Sequence, residues 1–330
     1  MHKWLQRQWD SPGFWHVLLI PLSGLFWLLS GLRRFCYRIG LFRSYKLPVP
    51  VVVVGNINVG GTGKTPLVIW LAEALKRKGF SPAIISRGYG GNPGGAMDVQ
   101  TDSDPAMVGD EPVLLARHSQ CPVWVGRDRV KVAQALLKSH PECNVMISDD
   151  GLQHYRLQRD FEIAVIDSNR GLGNGCLLPA GPLRECTSRL KTVNAVVYNG
   201  DKHNGGEPVL NAFSMQLEGR VFHSLLDPTK TALATVFAEK SICAIAGIGN
   251  PARFFQQLGN LGLKFASQAF PDHHTFRRAD LQNIKADAIL MTEKDAVKCA
   301  AFAEAHWWYL PVNAVVDEAL VTRIINKIRN

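Results

Sequence analysis

The sequence predicts an α/β fold. It expects helices layered on a mostly parallel sheet, a second and smaller α/β domain, and a hydrophobic helix ahead of both. Three observations predict it. Short, nearly continuous apolar runs recur from residue 51 onward, helix-length segments lie between several of them, and a turn-rich stretch with extended residues after it separates two such series. Strands covered on both faces read as unbroken apolar runs, and parallel strands need crossover segments, so the alternation specifies a sheet between helices.

The first 46 residues stand apart. Lys3, Arg7, Arg33, Arg34, Arg38, Arg43 and Lys46 face one acid, Asp10, so most of the net charge of +9 sits there and the body is nearly balanced. A basic body, a zinc-finger signature and a long basic helix are all missing, which argues against nucleic acid as a partner. Residues 11–32 contain no Asp, Glu, Lys or Arg, and Trp4, Trp9, Trp15 and Trp27 are spread through this region like interface anchors. As a helix the run would reach about 33 Å, close to the roughly 30 Å hydrocarbon core. Pro21 falls inside it, so the expectation is a helix or helical hairpin broken at Pro21 that dips into one leaflet; a full span and an ordinary core helix remain open. A cleaved signal is disfavoured because the run is too long and no small-residue cleavage site precedes Arg33-Arg34. Basic residues near anionic lipid favour the cytoplasmic face.

In the body, strands are expected at 51–54, 83–86, 122–125, 145–148, 162–166 and 195–198, with helices such as 66–77 and 129–138 between them. Residues 200–208 are a turn-rich break, and 209–217 and 221–225, split by Glu218-Gly219-Arg220, read as a hairpin. A second series follows at 242–246, 265–270, 288–291 and 307–310. The expected division is 1–46 as a membrane-associating segment, 47–205 as the core domain, 206–228 as a two-stranded linker and 229–330 as the smaller domain. A length of 330 residues suits about two domains, and 46% hydrophobic with 20% charged residues excludes disorder. Seven Cys with no C-x-x-C pair argue for free thiols in a reducing compartment.

The strand at 51–54 leads into Asn58-Val59-Gly60-Gly61-Thr62-Gly63-Lys64-Thr65 and then a helical pattern. Glycines let backbone N–H groups turn onto phosphate oxygens, and the helix N-terminus adds its dipole. Lys64 suits the β- and γ-phosphates and the Thr65 hydroxyl suits Mg²⁺. Asn58 stands where the general G-x-x-x-x-G-K-[ST] pattern has its first Gly. The first domain is therefore expected to be a P-loop NTPase-like α/β core that holds phosphate groups with Mg²⁺. Asp149-Asp150-Gly151 closes an apolar strand, where carboxylates lie on the ligand edge of a parallel sheet and one of the two can reach the metal. Gly109-Asp110-Glu111-Pro112 opens a helical stretch, and by pattern alone these acids read as helix capping. Ser86-Arg87-Gly88-Tyr89-Gly90-Gly91 leaves a strand as a loop able to hold phosphate or sugar. In Pro271-Asp272-His273-His274, a His stands beside an acid with no second His or Cys cluster, which favours proton handling over metal.

Taken in order, these segments resemble one family, the tetraacyldisaccharide 4′-kinases that act on the lipid A precursor of Gram-negative bacteria. The resemblance rests on residues 55–66, Ser86 to Gly90, Val108 to Pro112, Asp149-Asp150-Gly151-Leu152-Gln153-His154, Leu178-Pro179-Ala180-Gly181-Pro182-Leu183-Arg184-Glu185, Pro271 to His274 and Thr292-Glu293-Lys294-Asp295. It spans nearly the whole chain, and Asn58 is similar to what the family shows. The resemblance implies ATP-dependent phosphorylation of the 4′-hydroxyl of a tetraacylated glucosamine disaccharide 1-phosphate at the cytoplasmic face of the inner membrane, with no obligate protein partner. It implies two α/β/α domains joined by a strand pair, with the site in the cleft. It also implies Asp110 as the base paired with His273, Thr65 and Glu111 as Mg²⁺ ligands with Asp149 or Asp150 behind them, and Arg87, Tyr89, Arg184 and Glu185 near the acceptor. A membrane-docked regulatory P-loop NTPase is the alternative. Against it, the loop lacks the extra Lys of the deviant switch type at Val59, and Thr292-Glu293-Lys294-Asp295 carries its Lys one place late for a guanine-specific motif.

Overall fold

The computed structural model describes residues 9, 13–200 and 211–329. Lys3, Trp4, Arg7, Asp10 and the turn-rich break after Gly200 lie outside the described residues. Two sheets organise the chain. The first runs β15-β8-β7-β6-β1-β5-β2-β4-β3, comprising β1 (Val51–Gly55), β2 (Pro82–Ser86), β3 (Met97–Asp98), β4 (Val123–Val125), β5 (Val145–Asp149), β6 (Phe161–Asp167), β7 (Ala195–Asn199), β8 (Ala212–Glu218) and β15 (Asn313–Val316). All neighbours pair in parallel except the edge strands β3 and β15. The second sheet runs β10-β9-β14-β13-β11-β12, comprising β9 (Val221–Ser224), β10 (Thr231–Leu233), β11 (Ile242–Ala246), β12 (Ala266–Ala269), β13 (Ala288–Thr292) and β14 (Trp307–Leu310).

Alternation along each central strand explains the layers. Val52 and Val54 of β1 join Leu67, Leu71 and Leu75 of the helix Lys64–Arg77 on one face. Val51 and Val53 join Val130, Ala133 and Leu136 of the helix Arg129–Ser139 on the other. The second sheet divides its residues likewise, with Ala244 and Ala246 against Phe254 and Leu258, and Ile245 against Met291 and Trp307. The α/β/α expectation holds for both sheets.

Two expectations are corrected. The stretches 209–217 and 221–225 do not form a hairpin: β8 pairs with β7 and β15, while β9 pairs with β10 and β14. The two strands join the sheets because each completes the ladder of a different one. The division at 229–330 also fails at its end. β15 returns to cover the open edge of β8, and Leu320, Val321, Ile324 and Ile325 of the helix Ala319–Arg329 pack into the first domain's core. An apolar stripe at that spacing must be buried somewhere, and the sheet face beside the helix Lys64–Arg77 and β6 supplies the place.

The N-terminal segment is one continuous helix, Phe14–Arg38, of 25 residues with Pro21 inside it. The expected break at Pro21 is corrected. Proline forfeits one backbone hydrogen bond, which bends rather than ends a helix whose other bonds persist. Most of its apolar side chains are exposed, with His16, Ser23 and Cys36 buried. Ser23 pins it to the first domain: its hydroxyl donates to the Leu177 carbonyl at 2.8 Å and accepts from the Ala180 N–H at 2.9 Å.

Candidate active site

The parallel register places the ends of β1, β5 and β2 on one edge, with Val54 opposite Asp149 and Ile85 opposite Ser148. The loop 56–63 leaves β1 there and enters the helix Lys64–Arg77 through Gly63, whose φ is 90°. A Cβ at Gly63 would stand 2.3 Å from Asn199 Nδ2, so glycine is required both by conformation and by space. Asn58 does not take a positive φ. It bridges Leu183, and Val59 N–H donates to the Pro182 carbonyl at 2.8 Å, so segment 182–183 braces the loop and this position needs no glycine. Lys64, Thr65 and the glycines Gly61 and Gly63 line a cleft of about 200 Å³ closed on its far side by Ile248, Gly249, Phe254 and Leu310 of the second domain.

Asp149 and Asp150 separate in role. Asp149 accepts from the Ser86 hydroxyl at 2.9 Å through Oδ2, while its Oδ1 is buried without a hydrogen bond. Burial, then Glu111 and Asp150, pushes its carboxyl up to about 6. Asp150 sits at φ 47° and meets Lys64 Nζ at 3.5 Å and Arg184 Nη1 at 3.3 Å. Burial opposes its charge, but Lys64 and Arg184 hold its carboxyl down at about 2. Arg129, itself buried, fixes this turn by donating to the Asp149 carbonyl at 2.8 Å.

A second charged cluster crosses the seam between domains. Asp110, in the first turn of the helix Asp110–Ser119, is 4% exposed and accepts from the Glu111 N–H at 2.9 Å. His273 Nδ1 lies 3.3 Å from Asp110 Oδ1, and Lys298 and Lys294 lie 3.8 and 4.0 Å from Oδ2. Burial raises the Asp110 carboxyl, but His273, Lys294 and Lys298 outweigh it and keep it below its ordinary value. Lys294 also meets Glu111 at 2.9 Å and Asp272 at 3.5 Å. Burial works against the Lys294 charge, yet Glu111, Asp110 and Asp272 hold its pKa above the usual lysine range. His273 carries a positive φ of 57° and packs against Tyr89 with the rings tilted, their centres 4.8 Å apart. Of the four described non-glycine residues with positive φ, two, Asp150 and His273, are in this site.

A larger cavity of about 600 Å³ opens between the N-terminal helix and this edge. Arg87, Tyr89, Asp149, Asp150, Arg184 and Glu185 line it opposite Trp27 and Ser30. Glu111 lines both this cavity and the phosphate-loop cleft. Glu185 is committed to the wall: its carboxylate takes Gln153 at 2.9 Å, the Tyr155 hydroxyl at 2.7 Å and Arg189 at 3.2 Å.

Among the described residues no three His, Cys, Asp or Glu side chains converge as a metal cage. The donor set nevertheless fits Mg²⁺, which is usually held by one or two carboxylates plus phosphate oxygens and water. Asp149 and Asp150 each offer a buried oxygen without a hydrogen bond, that of Asp150 lying 3.5 Å from Lys64 Nζ, and repulsion among Asp149, Glu111 and Asp150 is what a cation relieves.

Of the site residues expected from the sequence, Gly61 to Thr65 line the phosphate-loop cleft, Arg87, Tyr89, Asp149, Asp150, Arg184 and Glu185 line the larger cavity, and Glu111 lines both. Asp110 and His273 meet at the seam, and Asn58, Val59 and Gly60 line neither cavity. Beyond His273, sequence reasoning missed what the second domain contributes. Lys294 was visible as part of a motif at a strand's ligand edge but carried no role. Asp295 gave no functional signal; it accepts from the Gly247 N–H at 2.9 Å and fixes the loop before Gly249. Asp167 at the end of β6 receives Arg253 at 2.8 Å and Asn250 at 3.0 Å, tying that loop to the first domain.

Comparison with known proteins agrees with this geometry. The sequence matches the family model described as LpxK, tetraacyldisaccharide-1-P 4′-kinase, over residues 15–329. A tetraacyldisaccharide 4′-kinase of Methylobacillus flagellatus is 51% identical over 326 residues, covering 99% of this chain and 96% of the relative. One from Azoarcus sp. strain BH72 is 50% identical, covering 98% of this chain and 94% of the relative. A crystal structure of LpxK from Aquifex aeolicus in complex with ATP superposes with a TM-score of 0.79 at 28% identity, covering 96% of this chain and all of that one. The chain belongs to the tetraacyldisaccharide-1-P 4′-kinase family.

Proposed function

We propose that the protein transfers the γ-phosphoryl group of ATP to the 4′-hydroxyl of a tetraacyl disaccharide 1-phosphate, a step of lipid A biosynthesis. The observation that carries this reading is the seam: Asp110 and His273 meet beside Glu111, which lines both the phosphate-loop cleft and the cavity under the N-terminal helix. The bond between the 4′-oxygen and the γ-phosphorus forms as the β–γ bridging bond breaks, and ADP leaves. The hydroxyl proton passes to the Asp110 carboxylate, which is ionised at neutral pH. His273 orients that carboxylate and carries the proton on toward water. Lys64 and the loop N–H groups hold phosphate oxygens, and Lys294 adds charge where it accumulates in transfer. Asp149, with Thr65 and Glu111, would hold Mg²⁺, which when bound would supply positive charge to offset that of the phosphates. Asp150, paired with Lys64 and Arg184, positions the lysine instead.

Arg87, Tyr89 and Arg184 face the acceptor sugar, and the exposed apolar helix keeps the acyl chains in bilayer while the sugar enters. Arg33, Arg34, Arg38 and Arg43 favour the cytoplasmic face. Transfer of 32P from γ-labelled ATP to a tetraacyl disaccharide 1-phosphate in mixed micelles tests the reading, with Lys64→Ala as control. Labelled lipid that vanishes in the control supports it. Lipid-independent release of free phosphate alone would favour a membrane-docked NTPase.

A further inference from the structure

We propose that a basic cavity at the foot of the N-terminal helix binds the phosphate ester of an anionic membrane lipid, apart from the acceptor. This cavity, of about 680 Å³, is lined by Arg34, Arg38, Arg159 and Arg189 with Glu162 as the carboxylate in its wall. Arg34 and Tyr155 also line the acceptor cavity, so they form the partition between the two. Neither Asp149 nor Asp150 reaches the basic cavity, which separates it from the phosphoryl-transfer edge.

The four arginines fall into two pairs. Arg159 and Arg189 are the back wall: their side chains are 13% and 6% exposed and both pair with Glu162. Arg159 also stacks over Tyr155 at 5.1 Å. Their guanidinium planes are thus fixed before any ligand arrives, which removes the ordering cost of binding. Arg34 and Arg38 form the mouth. Arg34 has only a 3.9 Å approach to Glu185, and Arg38 has no hydrogen-bond or ion-pair partner among the described residues. Pairing within the protein therefore explains the back wall and leaves the mouth unexplained.

Guanidinium forks match phosphate oxygens, and the hydroxyls of Tyr37 and Ser188 add donors in the same wall. The C-terminal dipole of the helix, about half a negative charge, opposes an anion here. Four guanidinium groups against one wall carboxylate exceed it. The rim selects a lipid over free phosphate. Phe42 packs edge-on against Tyr37 at 5.3 Å, and Phe35, Ile39, Leu41 and Phe42 are exposed around Arg38 in sequence. An inorganic anion has no use for that surface, whereas acyl chains do. A lipid held there fixes the arginine end of the helix at headgroup depth. The inference rests on the helix entering a membrane and not on the kinase chemistry.

The test uses the full chain in neutral-detergent micelles without ATP or acceptor, titrated with dioctanoyl phosphatidylglycerol or with inorganic phosphate and read by native mass spectrometry. Wild-type protein binds the lipid, Arg38→Glu binds it about tenfold or more weakly, and Arg38→Lys recovers most of the affinity. Inorganic phosphate binds wild type at least about tenfold more weakly than the lipid. In a separate assay, the acceptor KM and kcat of Arg38→Glu stay within about twofold of wild type. Equal lipid affinity in wild type and Arg38→Glu overturns the site. Equal affinity for phosphate and lipid overturns the lipid assignment. A rise in acceptor KM that tracks the loss of lipid binding overturns its separateness from the acceptor. The lipid and phosphate titrations are read without turnover, so their outcome does not bear on whether the protein is a kinase.

Discussion

Asp110→Asn separates chemistry from architecture at the seam. The substitution keeps an oxygen that can accept from the Glu111 N–H, so the helix start is preserved. It removes one buried negative charge, but the cations beside it keep other partners: Lys294 retains Glu111 at 2.9 Å and Asp272 at 3.5 Å, and Lys298 retains Asp295 at 2.8 Å. Stripping a buried cation of its only partner costs about 3–5 kcal/mol. Here no cation is stripped, so the stability loss should stay near 1 kcal/mol, the centre of the range for single substitutions. The chemical loss is larger. A general base contributes about 10²–10⁴ in rate, equivalent to about 3–5 kcal/mol of barrier. Asp110 does not line the phosphate-loop cleft, so ATP affinity should not follow. Steady-state transfer to the lipid acceptor measures kcat, thermal unfolding measures stability, and displacement of a fluorescent nucleotide measures ATP binding. A kcat within about threefold of wild type would refute the reasoning and reduce Asp110 to a helix cap.

Two further predictions concern how the domains meet. Gly249→Ala places a Cβ 2.3 Å from the Gly61 backbone nitrogen and so pushes the second domain's loop off the phosphate loop. Overpacking of about 1–3 kcal/mol should appear mainly as an ATP KM raised about tenfold, with kcat less affected; an unchanged KM contradicts the contact. His118 of the first domain meets Glu293 of the second at 2.7 Å, and its pKa is raised from 6.5, chiefly by the hydrogen bond to Glu293. A raised histidine stabilises the fold fully below its unfolded value and loses that contribution as pH rises through the folded value. His118→Gln should therefore lower Tm by about 1–2 °C at about pH 6, a small effect because the pair is partly exposed, and by less at about pH 9. A Tm difference that grows with pH would show the sign to be wrong.

What the sequence revealed about the fold was local. The apolar runs became β1, β2 and β5 because both faces of these strands are covered, and their ends carry Gly55, Ser86 and Asp149 onto one edge. The phosphate loop was legible because glycine spacing encodes backbone conformation directly. Non-local pairing was not legible. β15 pairs Val316 with Met215, about a hundred residues earlier, and nothing in Asn313–Val316 announces its partner. The same holds for the site. By spacing alone Asp110 read as a helix cap, and only the family resemblance pointed to its pairing with His273, because charges that converge across a seam leave no spacing signature. Pro21 misled for a different reason. A single proline lowers helix propensity, but propensity yields where the flanking residues on both sides are strongly helical and apolar.

In the proposed reaction one phosphoryl group crosses from the phosphate-loop cleft to a sugar hydroxyl at the Glu111 seam. Phosphorus-31 NMR of the lipid recovered after incubation with ATP and Mg²⁺ tests it most directly. Two phosphomonoester resonances, the original 1-phosphate and a new one coupled to the 4′-proton, are the predicted result. A diphosphate at the 1-position, or unchanged lipid beside free phosphate, would contradict it.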